Sequence, residues 1–250
     1  MPTITKEQVR FFHENGYLII DDLLSQDEIT YYQNIYEDFL HNKIDVSRYR
    51  SDLGGYAADE DVLSDTERIT QIMVPGKTLP ALLKKPLHTK TLSMARQLLG
   101  EDMALDFDML IDKAPFSHTP TPWHQDAAYW IKLPDTRAVS CWVALDKAEK
   151  DNGCMWYIPG SHKLPLRVHY PAGRGGGALE CEGYEEEAVA VELEAGGCVL
   201  HHGGTAHYSR GNASAMRRRA FITNYRPQAM IDLERTQGFD HTGERKVRNS

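Results

Sequence analysis

Pro122-Trp123-His124-Gln125-Asp126 is the stretch on which the reading of this chain turns. On an extended backbone, side chains at i and i+2 share a face. His124 and Asp126 then offer one imidazole and one carboxylate to the same ion. A second imidazole would complete a two-histidine, one-carboxylate face. That face leaves three adjacent coordination positions open, the preference of non-haem Fe(II) oxygenases. His-x-Asp alone is a weak signal, so the rest of the chain has to carry it.

Outward from this stretch the texture is that of an all-β domain. Short apolar runs recur at Met103–Ile111, Ala138–Leu145, Cys154–Ile158, Ala188–Leu193, Gly197–His202 and Ala220–Tyr225, divided by Gly, Pro and Asn. That spacing predicts an antiparallel β-sandwich or barrel. The N-terminal part reads as helical instead. Thr5 can cap a helix closed by Asn15-Gly16, Tyr17–Ile20 is a short strand, and Ser25 with Glu28 has capping-box spacing. Pro86 opens a further helix that Gly100 stops. Residues 42–67 and 166–185 read as long loops and candidate lids. Gly173-Arg174-Gly175-Gly176-Gly177 lacks the Lys-Ser/Thr of a phosphate loop and reads as a surface loop.

The second imidazole has three candidates in Leu200-His201-His202-Gly203-Gly204-Thr205-Ala206-His207. His201 and His202 are adjacent and face opposite sides of a strand, so one site cannot use both. His207 follows the glycine turn, ahead of Arg217-Arg218-Arg219. An oxygenase with an oxo-acid cosubstrate needs a fixed cation for the distal carboxylate. Arginine serves best, because its planar fork binds a carboxylate through two hydrogen bonds.

In these blocks the sequence resembles the phytanoyl-CoA dioxygenase family of Fe(II)/2-oxoglutarate oxygenases. The resemblance runs in order through Met109-Leu-Ile-Asp-Lys-Ala-Pro, Trp123-His-Gln-Asp, Val139-Ser-Cys-Trp-Val-Ala-Leu, Asn152-Gly-Cys-Met and Ile158-Pro-Gly-Ser-His-Lys. It ends with His207-x-Ser-x-x-Asn and Arg218. It implies a mainly β fold with a helical N-terminal part: a double-stranded β-helix, the cupin-like jelly-roll, flanked by helices. The expected organisation is a single domain over 1–250. Residues 1–100 form a helical cover, 101–230 the jelly-roll core and 231–250 a C-terminal tail.

The resemblance also implies the site. Iron ligation falls on His124, Asp126 and His207, and the 2-oxoglutarate distal carboxylate on Arg218. Ser209 falls beside that carboxylate, and Met109, Gln125 and Trp142 on the walls of the cosubstrate pocket. His202 is expected near the site as a hydrogen-bonding group, and His162 as a turn residue. His13, His41, His88, His118, His169 and His241 read as surface residues. The implied activity is an Fe(II)- and 2-oxoglutarate-dependent dioxygenase that consumes O2 and releases succinate and CO2. Halogenating relatives replace the carboxylate ligand, so Asp126 favours hydroxylation or a related oxidation of an unactivated C–H. Two alternatives keep the same ligands: a non-catalytic metal- and 2-oxoglutarate-binding jelly-roll module, and a zinc hydrolase, which gives Arg218 no role.

Composition narrows the substrate class. A chain of 250 residues buries roughly three quarters of its unfolded surface, so it needs no metal merely to fold. The net charge of −8 argues against a nucleic-acid or anionic-membrane partner. For the several phosphates of a coenzyme A thioester the sequence offers Lys84-Lys85, Arg174 and the Arg217–Arg219 run, and one of those arginines is already assigned. A small metabolite or natural-product intermediate is therefore the expected substrate. No apolar run approaches the ~18 residues of a membrane span, and Met1–Glu7 shows no secretory pattern. Four cysteines without a CxxC pair read as reduced thiols in the cytoplasm.

Overall fold

The computed structural model describes residues 2–54, 67–172 and 178–242. Helix α1 (Lys6–Asn15) starts where the Thr5 hydroxyl accepts from the Gln8 amide and the Gln8 side chain accepts from the Thr5 amide. It stops at Gly16, whose φ of +80° suits only glycine without strain. Strand β1 (Tyr17–Ile20) follows, and α2 (Gln26–Leu40) is capped by Ser25 and Glu28 in the same reciprocal way. Next come β2 (Arg50–Asp52), β3 (Ile69–Met73), the single turn α3 (Pro75–Thr78) and α4 (Pro86–Leu99), which ends at Gly100.

The second half holds β4 (Met103–Lys113), β5 (Thr121–His124), β6 (Val139–Ala144), β7 (Met155–Tyr157), β8 (Tyr170–Pro171) and β9 (Leu179–Glu180). It continues with β10 (Val189–Val191), β11 (Cys198–His202), β12 (His207–Ser209), β13 (Arg218–Pro227) and α5 (Gln228–Thr236).

Among the described residues, one antiparallel sheet runs β1-β11-β6-β13-β4-β3-β2 and a second runs β10-β7-β12-β5. The strands of the large sheet alternate between two cores. Cys141, Val143, Leu200, Phe221 and Tyr225 pack under α1, α2 and α4 with Phe12, Ile29, Tyr32 and Leu98. Trp142, Ala144, Val199, Ala220 and Ile222 face the small sheet and meet Met155, Trp156 and Tyr157. Both faces are covered, which is why these strands read as continuous apolar runs. The fold is the expected jelly-roll with helices against one sheet.

Two boundaries differ from expectation. Residues 1–100 are not only a helical cover, because β1 extends one edge of the large sheet and β3 with β2 the other. Ile69–Met73 is buried on both faces and only five residues long, so it shows no alternation to read. The stretch after 230 is not a plain tail either. Helix α5 continues from β13 to Thr236 and buries Ile231 and Glu234. Residues 55–66 of one expected lid and 173–177 of the other, which include the glycine-rich stretch, lie outside the described residues.

Candidate active site

Strands β5 and β12 pair so that His124 and His207 stand opposite each other, with ring centroids 4.2 Å apart. Asp126 follows His124 by two residues and opens a short helical turn. Its Oδ1 lies 3.8 Å from His124 Nε2 and 3.6 Å from His207 Nε2. Ligand atoms of these three residues fall within 4.8 Å of one another, close enough to hold one ion.

Each imidazole is oriented by its own backbone. His124 Nδ1 meets the Pro122 carbonyl at 2.7 Å, and His207 Nδ1 the Thr205 carbonyl at 2.9 Å. A carbonyl only accepts, so Nδ1 carries the proton in both rings and the Nε2 lone pairs face the cluster. Burial, with His124 and His201 nearby, keeps His207 well below its usual pKa and therefore neutral, as a metal ligand must be. Burial would raise Asp126, but hydrogen bonds donated to Oδ2 by His201 and Ser140 favour the charged form and keep the carboxylate ionised, below its usual range.

Arg218 lies in the same cavity, which holds about 200 Å³. It is 1% exposed and sits 5.2 Å over the Trp142 ring. Its Nε and Nη1 have no hydrogen-bond partner, which a buried guanidinium tolerates only if something else supplies one. Burial lowers its pKa to about 10, so it stays cationic at neutral pH. Arg217 turns to Asp112, and Arg219 to Asp146 and Glu37 beneath α2. Of the three arginines, Arg218 is thus the one that lines the cavity. Met109, Trp142 and Ser209 line the cavity with it.

Gln125 does not join them. Between two inward-facing neighbours it points away from the cavity. Its Nε2 donates to the Gly204 carbonyl at 2.6 Å and its Oε1 accepts from the Arg167 amide at 2.8 Å. His202 also departs from expectation. It shares the other face of β11 with His162, and burial pushes its pKa down to about 4. His201 takes the inward place, with Nε2 3.1 Å from Asp126 Oδ2. His88 and His169 are buried rather than superficial, bonded to Asp108 and to the Gln125 amide. His241 is held by Asp106 and Glu234.

Sequence reasoning also missed Ser140, whose Oγ donates to Asp126 Oδ2 at 2.6 Å. A lone serine inside an apolar strand was its only signal, since a buried hydroxyl must find a partner. Gln71, Phe107, Tyr129, Trp130 and Phe239 line the cavity as well and carried no local signal.

The cavity lining brings together three residues that could hold a metal ion and a buried guanidinium with unpartnered nitrogens, so a fitting ligand would chelate the one and pair with the other. A short oxo-dicarboxylate does both. Fold and site together therefore define the class of Fe(II)/2-oxoglutarate-dependent oxygenases. The comparisons agree with that class. The chain belongs to the phytanoyl-CoA dioxygenase (PhyH) family, whose model matches residues 12–220, and Fe(II), 2-oxoglutarate and O2 are that family's cofactor and cosubstrates.

The peroxisomal phytanoyl-CoA dioxygenase of Bos taurus is 29% identical over 242 residues, covering 89% of this chain and 68% of that protein. EvdO2 from Micromonospora carbonacea var. aurantiaca, solved with 2-oxoglutarate, superposes with a TM-score of 0.71 at 27% identity. That match covers 90% of this chain and 91% of the other. SnoK, a non-heme alpha ketoglutarate dependent carbocyclase from nogalamycin biosynthesis, gives 0.69 at 26%, covering 90% and 86%.

Proposed function

We propose that this protein is an Fe(II)- and 2-oxoglutarate-dependent dioxygenase that hydroxylates, or otherwise oxidises, an unactivated C–H of a small metabolite. His124, Asp126 and His207 are the metal ligands in this reading, and Arg218 binds the distal carboxylate of 2-oxoglutarate. The observation that carries it is the unpartnered, buried Arg218 guanidinium in the cavity that holds the three-donor cluster. A zinc hydrolase with the same three ligands has no use for that cation; a non-catalytic metal- and 2-oxoglutarate-binding module would use it, and succinate release separates that module from an oxygenase.

The bound metal supplies O2 activation coupled to cosubstrate decarboxylation. The chain does the rest. Pro122 and Thr205 carbonyls aim the imidazoles. Arg218 orients the cosubstrate from a dry wall, with Ser209 and Trp142 beside it. Met73, Phe107, Trp130, Leu179 and Phe239 give the cavity apolar walls that exclude water from the reacting C–H.

The substrate follows from the same lining. Among the described residues, Arg218 is the one lysine or arginine on it, and it is committed to the cosubstrate. A thioester carrying several phosphates finds no partner there, so a small, largely uncharged metabolite fits better. Four free thiols suit a reducing compartment such as the cytoplasm.

The test is uncoupled turnover. Purified protein with Fe(II), 2-oxoglutarate and O2 is expected to release succinate slowly without substrate, and His207→Ala or Asp126→Ala to abolish it. Absence of both succinate release and iron-dependent 2-oxoglutarate binding in the wild type would sink the reading. A screen of candidate metabolites for stimulated succinate release then identifies the substrate.

A further inference from the structure

Four potential donors, not three, crowd the metal-facing end of the cavity. His201 on β11 packs against His207 with ring centroids 4.4 Å apart. Its Nε2 is 3.1 Å from Asp126 Oδ2, and its Nδ1 is 3.2 Å from the Tyr157 hydroxyl. An ionised carboxylate only accepts, so Nε2 carries the proton and donates. Nδ1 is then the acceptor, and Tyr157 donates to it. Ser140 Oγ also donates to Oδ2, and Asn224 Nδ2 donates to Ser140 Oγ at 2.8 Å. Oδ2 is thereby held by two donors, while Oδ1 faces the Nε2 atoms of His124 and His207.

We propose that His201 is a positioning residue: by holding Asp126 Oδ2 it keeps the carboxylate a one-oxygen donor and keeps itself out of the coordination sphere. The proposal rests on the assignment of His124, Asp126 and His207 as the metal ligands. Three protein atoms leave three places of an octahedron open. A second oxygen from Asp126, or the His201 Nε2, would take one that 2-oxoglutarate or O2 needs. Partners of this kind typically set metal affinity by 10–100-fold.

The experiment is an anaerobic Co(II) titration of the full chain, followed by the visible absorption of the metal, and then titration of the Co(II)-loaded protein with 2-oxoglutarate. His201→Phe keeps the ring volume and removes the N–H. It is expected to weaken Co(II) binding about 10- to 100-fold and to weaken 2-oxoglutarate binding to the loaded protein. His201→Gln, which can still present an N–H to Oδ2, is expected to recover most of both. His201→Asn, too short to reach, replaces His201→Phe should that variant not fold. Wild-type affinities in the variant lacking the N–H overturn the proposal. So does an equal loss in His201→Gln, which would make the role one of packing. His124→Ala is the control: if it too binds Co(II) like the wild type, the ligand assignment falls and takes the proposal with it.

Discussion

Arg218 is 1% exposed with two unpartnered nitrogens, so it burdens the protein whenever no anion is bound. Leaving a buried charge uncompensated costs several kcal/mol. Replacing it by a methionine of similar length removes that burden together with the ligand's partner. Arg218→Met is therefore expected to match or exceed the wild-type Tm without 2-oxoglutarate. It is also expected to lose most of the Tm rise that 2-oxoglutarate gives the metal-loaded wild type. The Kd for 2-oxoglutarate should rise at least about 30-fold, equivalent to about 2 kcal/mol. Thermal melts across a 2-oxoglutarate series read both, and an unchanged ligand dependence rejects the clamp. At this scale the sequence was legible where alternation decides. Arg218 and Arg219 open β13 on opposite faces, so only one of them can line the cavity. The histidine pair on β11 shows the limit of that rule. Alternation separates His201 from His202 but does not say which faces inward, because the strand's phase is set by pairing. Tyr17 opposite His201 and Ser140 opposite it on the other side fix that phase.

Between residue and fold, α1 is tied to the strands that carry the site. The Gly16 carbonyl at its C-terminus accepts from the His202 amide at 2.9 Å and the Thr205 hydroxyl at 2.8 Å. Thr205 in turn offers its carbonyl to His207 Nδ1. A Cβ at Gly16 would meet His162 Nδ1 at 2.4 Å and Thr205 Oγ1 at 2.5 Å, on a backbone at φ +80°. Gly16→Ala is thus expected to lower stability by more than ~1 kcal/mol in urea unfolding, from strain and clash together. Thr205→Val leaves the backbone alone and removes one buried hydrogen bond, for about 1–3 kcal/mol. It is also expected to weaken Co(II) binding, since the loop that aims His207 loses its anchor. Stability loss with wild-type metal affinity would show that the helix supports the fold and not the site. Both ends of α1 were readable in advance, because Thr5 and Gly16 each act only on the turn of helix beside them. Strand β3 was not, because burial on both faces removes the alternation that marks a strand. The bonds that Ser140 and His201 make to Asp126 were not legible for a related reason: they join residues 14 and 75 positions apart that only the fold brings together.

Over the whole molecule, the C-terminal segment closes back on the cavity. After α5 the chain turns at Gly238, with φ +84°, and Phe239, Asp240 and His241 join the lining. His241 anchors the segment, its Nε2 3.0 Å from both Asp106 Oδ2 and Glu234 Oε2 and its ring 4.5 Å from Phe107. These three groups are near enough to share an ion. However, Arg226 and Arg235 already pair with both carboxylates, so the cluster reads as a latch and not a second metal centre. Burial pulls His241 toward the neutral form, but Asp106 and Glu234 outweigh it and raise its pKa above the usual value. A histidine raised on folding contributes stability that is complete below its unfolded pKa of about 6.5 and lost as pH rises through the folded value. His241→Asn is therefore expected to destabilise the protein most at about pH 6. The difference from wild type should shrink as pH climbs from about 6.5 through the raised folded pKa. Urea unfolding of the two proteins across that range measures it, and a difference independent of pH would mean that His241 holds the segment as a neutral ring. Phe239 lines the cavity on the same segment, so a loosened latch at higher pH is expected to disturb the substrate-facing wall. Substrate-stimulated succinate release, once a substrate is known, should then lose KM before kcat in His241→Asn.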